Sequence, residues 1–233
     1  MTLAVGDRTH LHNIWSRNIF PFSMENCVLY LPLWQEDMQG SPLLSYDQNH
    51  HSATVTGATW GYQGRTFDGI DDYIKAGTSS AFKPTTALSV GVWYKNDVSE
   101  ASTRIISMTG ADALQGWLFR AATNTAGFQI HNGTAWVSTT SAALTIGAWH
   151  CVFGVYDKVN ISAYAEGLPS GTPTAETNNI SYTGTAELYI AAREDLDLPE
   201  FFDGTIGEVW IYNRALTAAE IQNIYLATKW RYQ

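Results

Sequence analysis

Phe202-Asp-Gly-Thr-Ile-Gly-Glu-Val-Trp-Ile-Tyr-Asn-Arg-Ala-Leu-Thr-Ala-Ala-Glu-Ile221 reads as a strand that turns directly into a helix. Thr205 to Tyr212 is rich in β-branched and aromatic residues, which suit a pleated, packed surface. Thr217 and Glu220 then have the spacing of a capping box. The Thr217 hydroxyl can accept from the Glu220 amide, and the Glu220 carboxylate can reach back to the Thr217 amide. Ile221, Ile224 and Tyr225 fall at i, i+3 and i+4 and give the helix one apolar face. A helix this short is not stable alone, so it is predicted to dock on a sheet.

Upstream of this stretch, short strand-like runs recur at spacings of roughly 8–15 residues, separated by Gly, Asn, Asp, Ser and Thr, the rhythm of a sandwich or barrel. In Leu88 to Lys95, Leu88, Val90, Val92 and Tyr94 alternate with Ser89, Gly91, Trp93 and Lys95, the period of two of a strand with two distinct faces. Trp149 to Tyr156 is apolar at nearly every position and reads as a central strand, with Asn160 to Gly167 as its partner. Gly116 to Arg120 and Gly127 to His131 are two further strands. Asn132-Gly133, between Ile130 and Val137, is a strong hairpin signal.

A second stretch, Gly64-Arg-Thr-Phe-Asp-Gly-Ile-Asp-Asp-Tyr-Ile74, completes the pattern. It resembles the "FDG-x-DDY" signature of laminin-G-like, concanavalin-A-like domains. Phe202 to Ile221 resembles the closing motif of the same domains, in which a last strand ends in "YNRAL" and runs into a capped helix. The resemblance covers about residues 28–227. It implies an all-β, two-sheet antiparallel jelly-roll sandwich of the concanavalin-A-like kind with one short C-terminal helix. Residues 1–25, which mix apolar residues with polar ones and contain Pro21, read as an N-terminal arm, and residues 26–233 as the laminin-G-like sandwich domain.

Composition bounds the function. Among 233 residues, 45% are hydrophobic and 15% charged, and there are 9 Trp and 12 Tyr, values far from those of disordered chains. A net charge of −9 without a basic patch argues against nucleic acid, because phosphate binding needs clustered Lys and Arg. No run approaches the roughly 18 apolar residues of a membrane span, so no membrane insertion is expected. Asp7, Arg8 and His10 interrupt the N-terminal stretch before it reaches signal-peptide length. Cys27 and Cys151 read as two buried thiols, with a disulfide between them left open.

The acidic residues offer two chemistries. The resemblance implies one structural calcium ion, for which Asp47, Asp68, Asp71 and Asp72 are the candidate oxygen ligands. The closing motif departs from the family at Gly207, where Asp is frequent, and this weakens the calcium reading. Turn carboxylates satisfied by backbone amides are the plainer alternative. The adjacent His50 and His51 point to opposite faces of an extended chain and are poor co-ligands. Asp195-Leu-Asp-Leu-Pro-Glu200 is a superficial echo of a glucanase carboxylate motif, but Pro199 disrupts a strand there. No catalytic residues are assigned.

Trp136, Trp60, Tyr62 and Trp117 are the candidate sugar-stacking residues, Trp136 foremost because it follows the Asn132-Gly133 turn. The resulting expectation is a non-enzymatic surface-binding module that recognises a glycan or cell-surface polysaccharide. A domain of a family that works outside cells, with no signal segment seen, suits a phage capsid or tail decoration on a virion surface. Its arm would then hold shell proteins, and a homo-oligomer is a further expectation. A stand-alone microbial lectin-like module, extracellular, is the alternative, and a sandwich glycosidase or lyase a second one.

Overall fold

The computed structural model describes residues 20–99, 103–110, 115–182, 186–196 and 200–233. In chain order its strands are β1 (Cys27–Pro32), β2 (Leu43–Leu44), β3 (Ser52–Thr56), β4 (Thr59–Gly61), β5 (Gly64–Asp68), β6 (Tyr73–Gly77), β7 (Leu88–Asn96), β8 (Thr103–Thr109), β9 (Trp117–Ala122), β10 (Thr125–His131), β11 (Trp136–Thr140), β12 (His150–Tyr156), β13 (Asn160–Ala165), β14 (Leu168–Pro169), β15 (Thr174–Ala175), β16 (Glu187–Ile190) and β17 (Asp203–Tyr212). One sheet runs β14-β13-β12-β7-β17-β5-β4, with β1 also on β17 and β15 also on β13. The other runs β11-β10-β9-β8-β16-β6-β3-β2. Helix α1 (Ala218–Thr228) follows β17. This is the antiparallel jelly-roll sandwich with a short C-terminal helix that the sequence implies.

The alternation in β7 sorts its side chains as read, but both of its faces are buried. Leu88, Val90, Val92 and Tyr94 enter the core between the sheets with Val152, Tyr156, Val209, Ile211 and, from the opposite sheet, Phe119, Phe128 and Ile130. Trp93 points the other way, into a second apolar layer with Phe153, Trp210, Tyr212, Ile221 and Ile224. The first sheet is therefore covered on its outer side by α1 and by both ends of the described chain. Phe22, from the end of the expected arm, packs against Tyr30 and Trp210 at ring distances of 5.8 and 6.1 Å. The rest of that arm, residues 1–19, lies outside the described residues.

Helix α1 begins as its sequence dictates. The Thr217 amide donates to Glu220 Oε2 at 2.8 Å, and the Glu220 amide donates to Thr217 Oγ1 at 3.3 Å. Arg214 clamps the same carboxylate with two N–H groups at 2.6 and 3.0 Å. At the far end of the helix Trp93 Nε1 donates to Thr228 Oγ1 at 2.8 Å, and the Tyr232 ring stacks on Trp93 at 4.5 Å. Gly207 makes this last contact possible, because a Cβ there would lie 2.4 Å from Tyr232 Oη. Its place in the closing motif is thus taken up by the chain's own C-terminal ring. Cys27 and Cys151 are free thiols, both buried in this outer layer, where burial pushes both well above the ordinary thiol range.

Candidate functional site

An open cavity of about 740 Å³ lies where the β10–β11 connection meets the segment after β15. Asn132 and Gly133 form one wall, Asn178 to Tyr182 another, and Lys158, from the β12–β13 turn, reaches in from the side. The Asn132-Gly133 pair does make the turn expected of it: Asn132 Oδ1 accepts from the amides of Thr134 and Ala135 at 3.0 and 2.9 Å, and Gly133 takes φ +92°.

The scaffold beneath the cavity is the Glu176 carboxylate. It accepts from Asn132 Nδ2 at 2.7 Å, from the Asn178 amide at 2.6 Å and from Asn178 Nδ2 at 2.9 Å. Burial alone would raise its pKa, but these hydrogen bonds outweigh burial and hold the carboxyl below its ordinary value. Glu176 thereby ties the two walls together. Backbone bonds brace them further: the Ser181 amide donates to His131 O at 2.8 Å, and the Gly116 amide to Ser181 O at 2.7 Å. Lys158 Nζ donates to Asn179 Oδ1 at 2.5 Å. Among the described residues the lining is mainly amides and hydroxyls, with Ile180 and one ammonium, and it contains no carboxylate. Such a surface can exchange hydrogen bonds with a polyhydroxylated ligand but holds no acid–base pair.

Trp136 opens β11 directly after this turn, half-buried, with its ring edge-on to His131 at 5.3 Å. Farther along β11, Ser138, Thr139 and Thr140 line a smaller depression of about 330 Å³ with Gly171, Thr172 and Thr174. Trp136 thus stands on the strand that leads from one polar depression toward the other. Lys158, Asn178, Asn179 and the anchoring Glu176 have no motif around them. The only sequence signal was the adjacent amide pair Asn178-Asn179 following an acidic residue.

The other candidates separate. Trp117 is a correction: it faces the core between the sheets, has no exposed surface, and donates from Nε1 to Phe82 O at 3.0 Å, so it offers no stacking face. Trp60 and Tyr62 lie together around the β4–β5 hairpin, with rings 5.2 Å apart. Asp68, Asp71 and Asp72 converge, their carboxylate oxygens lying within 4.8 Å of one another. Asp47 is not with them. Its oxygens accept from the Tyr30 amide at 3.1 Å and from the Asn49 amide at 2.8 Å. The Asp68 group is a set of hard oxygen donors and fits a cation such as calcium. Two of its oxygens are engaged in the turn itself: Asp68 Oδ1 accepts from the Ile70 amide at 2.9 Å and Asp72 Oδ2 from the Asp68 amide at 3.1 Å. Burial, with the neighbouring carboxylates adding to it, raises the Asp72 pKa against the pull of that amide.

Of the glucanase-like stretch, Asp197 to Pro199 lie outside the described residues. Glu200 is held between Arg104 and Arg193 at 3.1 Å each. His51 packs at a tilt against Phe82, ring centroids 4.5 Å apart, and burial lowers its pKa.

The model of the concanavalin A-like lectin/glucanases superfamily matches residues 67–222. The chain belongs to that superfamily. No curated protein sequence matches it. Among solved structures, this lectin/glucanase sandwich is similar to the binding domain of Paraclostridial Mosquitocidal Protein 1, at 10% identity and a TM-score of 0.68, over 87% of this chain and 52% of that one. It is also similar to the botulinum neurotoxin serotype D binding domain, at 12% identity and a TM-score of 0.67, over 88% and 52%. Trypanosoma rangeli sialidase in complex with sialic acid superposes at 14% identity and a TM-score of 0.65, over 89% and 34%. The chain thus spans about half of the toxin domains and a third of the sialidase. At these identities the likeness is one of fold.

Proposed function

We propose that this chain is a non-catalytic glycan-binding module, and that it takes a saccharide in the amide-lined depression beside Trp136. The observation that carries the reading is the lining itself, preorganised by Glu176, rich in amide and hydroxyl groups and without a carboxylate. Carbohydrate sites combine such convergent polar groups with an aromatic face, and in this reading Trp136, three positions past Gly133 at the start of β11, is the ring that would supply it. The fold supports the reading, since two similar structures are named as binding domains. A glycan array followed by calorimetric titration tests it. Trp136→Ala and Asn179→Ala should each weaken binding about tenfold or more, as loss of a central contact does, with melting temperature unchanged. An array without hits, or variants that bind like the wild type, would refute the reading.

The calcium reading is carried as a proposal on the Asp68, Asp71 and Asp72 group, where the ion would pin the β5–β6 turn. The virion setting is likewise a proposal, drawn from the sequence; its test is retention of the chain on purified particles.

A further inference from the structure

Among the described residues the only exposed aromatic rings are Tyr62, 83% exposed, and Trp230, 67% exposed. They are 168 positions apart in the chain, yet they meet at one patch, because Gln63 Nε2 donates to Arg231 O at 3.1 Å. Two further rings join them. Trp60 packs edge-on to Tyr62 and donates from Nε1 to Gln35 O at 3.0 Å. Trp34, the residue before Gln35, lies under the Arg231 guanidinium at 4.3 Å. The same guanidinium lies 4.8 Å from the Trp230 ring. Four aromatic rings from three chain segments thus form a strip that is separate from the depression described above.

The strip is preorganised. Trp230 Nε1 donates to Ala227 O at 3.1 Å, which fixes the exposed indole on the helix end. Arg231 is held by Glu208 Oε1 at 2.7 Å. That carboxylate is buried and also accepts from Tyr30 Oη at 2.7 Å and Tyr232 Oη at 3.1 Å. The cation in the strip is therefore already neutralised, and an anionic ligand has nothing to gain there. Two donors nevertheless lack acceptors: Trp34 Nε1 and Arg231 Nε are buried without a hydrogen-bond partner. Buried donors are rarely left so, and an oxygen-bearing ligand that entered between the rings would complete them. Exposed, rigidly held indole and phenol faces match the apolar C–H faces of pyranose rings.

We propose that Trp34, Trp60, Tyr62 and Trp230 form a second saccharide-binding surface, for a neutral polysaccharide laid across the strip, with Arg231 as a positioning residue that sets the two tryptophans. The ligand class follows the glycan reading above, but none of that site's residues is used.

Affinity electrophoresis in gels containing hydroxyethyl cellulose, galactomannan, laminarin or arabinoxylan tests this. Wild type should be retarded in at least one gel. Trp230→Ala and Tyr62→Ala, both at exposed positions, should each reduce the affinity about tenfold or more, and by a larger factor than Trp136→Ala does. Arg231→Ala should weaken retardation and change the near-ultraviolet circular dichroism of the indoles, with Arg231→Lys restoring part of both. Retardation lost in Trp136→Ala and Asn179→Ala but kept in Trp230→Ala and Tyr62→Ala would overturn the strip and leave the depression standing. Absence of retardation in every gel would overturn the strip, while array binding to short oligosaccharides would independently support the depression. A concentration-dependent dimer abolished by Trp230→Ala, without retardation, would also overturn it, assigning the patch to a second copy of the chain.

Discussion

Glu208→Ala is the sharpest single perturbation of this fold. The side chain has no exposed surface, and it accepts from Tyr30, Tyr232 and Arg231 at once. Burial raises its pKa, opposed mainly by Arg231 and by the two tyrosine hydroxyls. Removing the carboxylate leaves a guanidinium and two buried hydroxyls without their acceptor. Breaking a buried ion pair by deleting one partner costs about 3–5 kcal/mol. For a chain of this size each kcal/mol lowers the melting temperature by roughly 2–4 °C, so a drop on the order of 10 °C is expected. Glu208→Gln keeps the shape and an acceptor oxygen, and should cost about half as much. The double variant Glu208→Ala/Arg231→Ala should be less destabilised than the sum of the single ones, by about 1–3 kcal/mol. Calorimetry and urea unfolding of the wild type, Glu208→Ala, Glu208→Gln, Arg231→Ala and the double variant measure these terms. A Glu208→Ala penalty below about 1 kcal/mol, or strict additivity, would refute the claim that this carboxylate locks the C-terminal segment to the sheet.

Gly207→Ala should cost about 1–3 kcal/mol by forcing the Tyr232 ring off Trp93; urea midpoints check this, and Tyr232→Ala should remove the steric part. Glu220 is held at a pKa of about 2, against an ordinary 4.5, chiefly by Arg214. Its folded pKa is depressed, so its contribution is complete above the unfolded value and fades as pH falls from 4.5 toward 2. The stability gap between wild type and Glu220→Gln, about 1–2 kcal/mol at neutral pH once solvent screening is counted, should close across that window in pH-dependent unfolding. If the Asp68 group takes calcium as proposed, millimolar calcium should raise the wild-type melting temperature by a few degrees, about what linkage to a weak site gives, and leave Asp71→Asn unmoved. Equal shifts in both proteins would return these carboxylates to a purely turn-forming role.

The strand-rich class could be read from periodic apolar residues, and the jelly-roll from the resemblance of two motifs to a known family; the signals in the residues themselves are short in range. The capping box, the Asn132-Gly133 turn and the alternation of β7 each involve residues within a few positions of one another. What the alternation did not disclose is that the second face of β7 is also covered. Trp93 owes its burial to Thr228 and Tyr232, more than 130 positions away, and nothing local to β7 announces them. Trp117 shows the same limit in reverse: its neighbours in sequence are unremarkable, and only the packing of two sheets decides that its ring is core. Trp60 and Tyr62 lie together because alternate residues at a hairpin stay close. Their companions Trp34 and Trp230 come from distant segments and carried no signal. The wall opposite Asn132-Gly133 escaped notice for another reason: Asn178, Asn179 and Lys158 act through the loop geometry that Glu176 fixes, and amides in a loop are common in any sequence.

The position of β17 bears on how the molecule is made. In chain order β17 is the last strand of the sandwich, yet it is paired along one edge with β7 and along the other with β5 and then β1. During synthesis those three wait with a vacant seam in the middle of their sheet until Asp203–Tyr212 has left the ribosome. Unpaired edges of this kind invite pairing with other chains, and long-range strand pairing is slow. Yield in recombinant production should therefore respond more to temperature and chaperone supply during release than to substitutions in the loops.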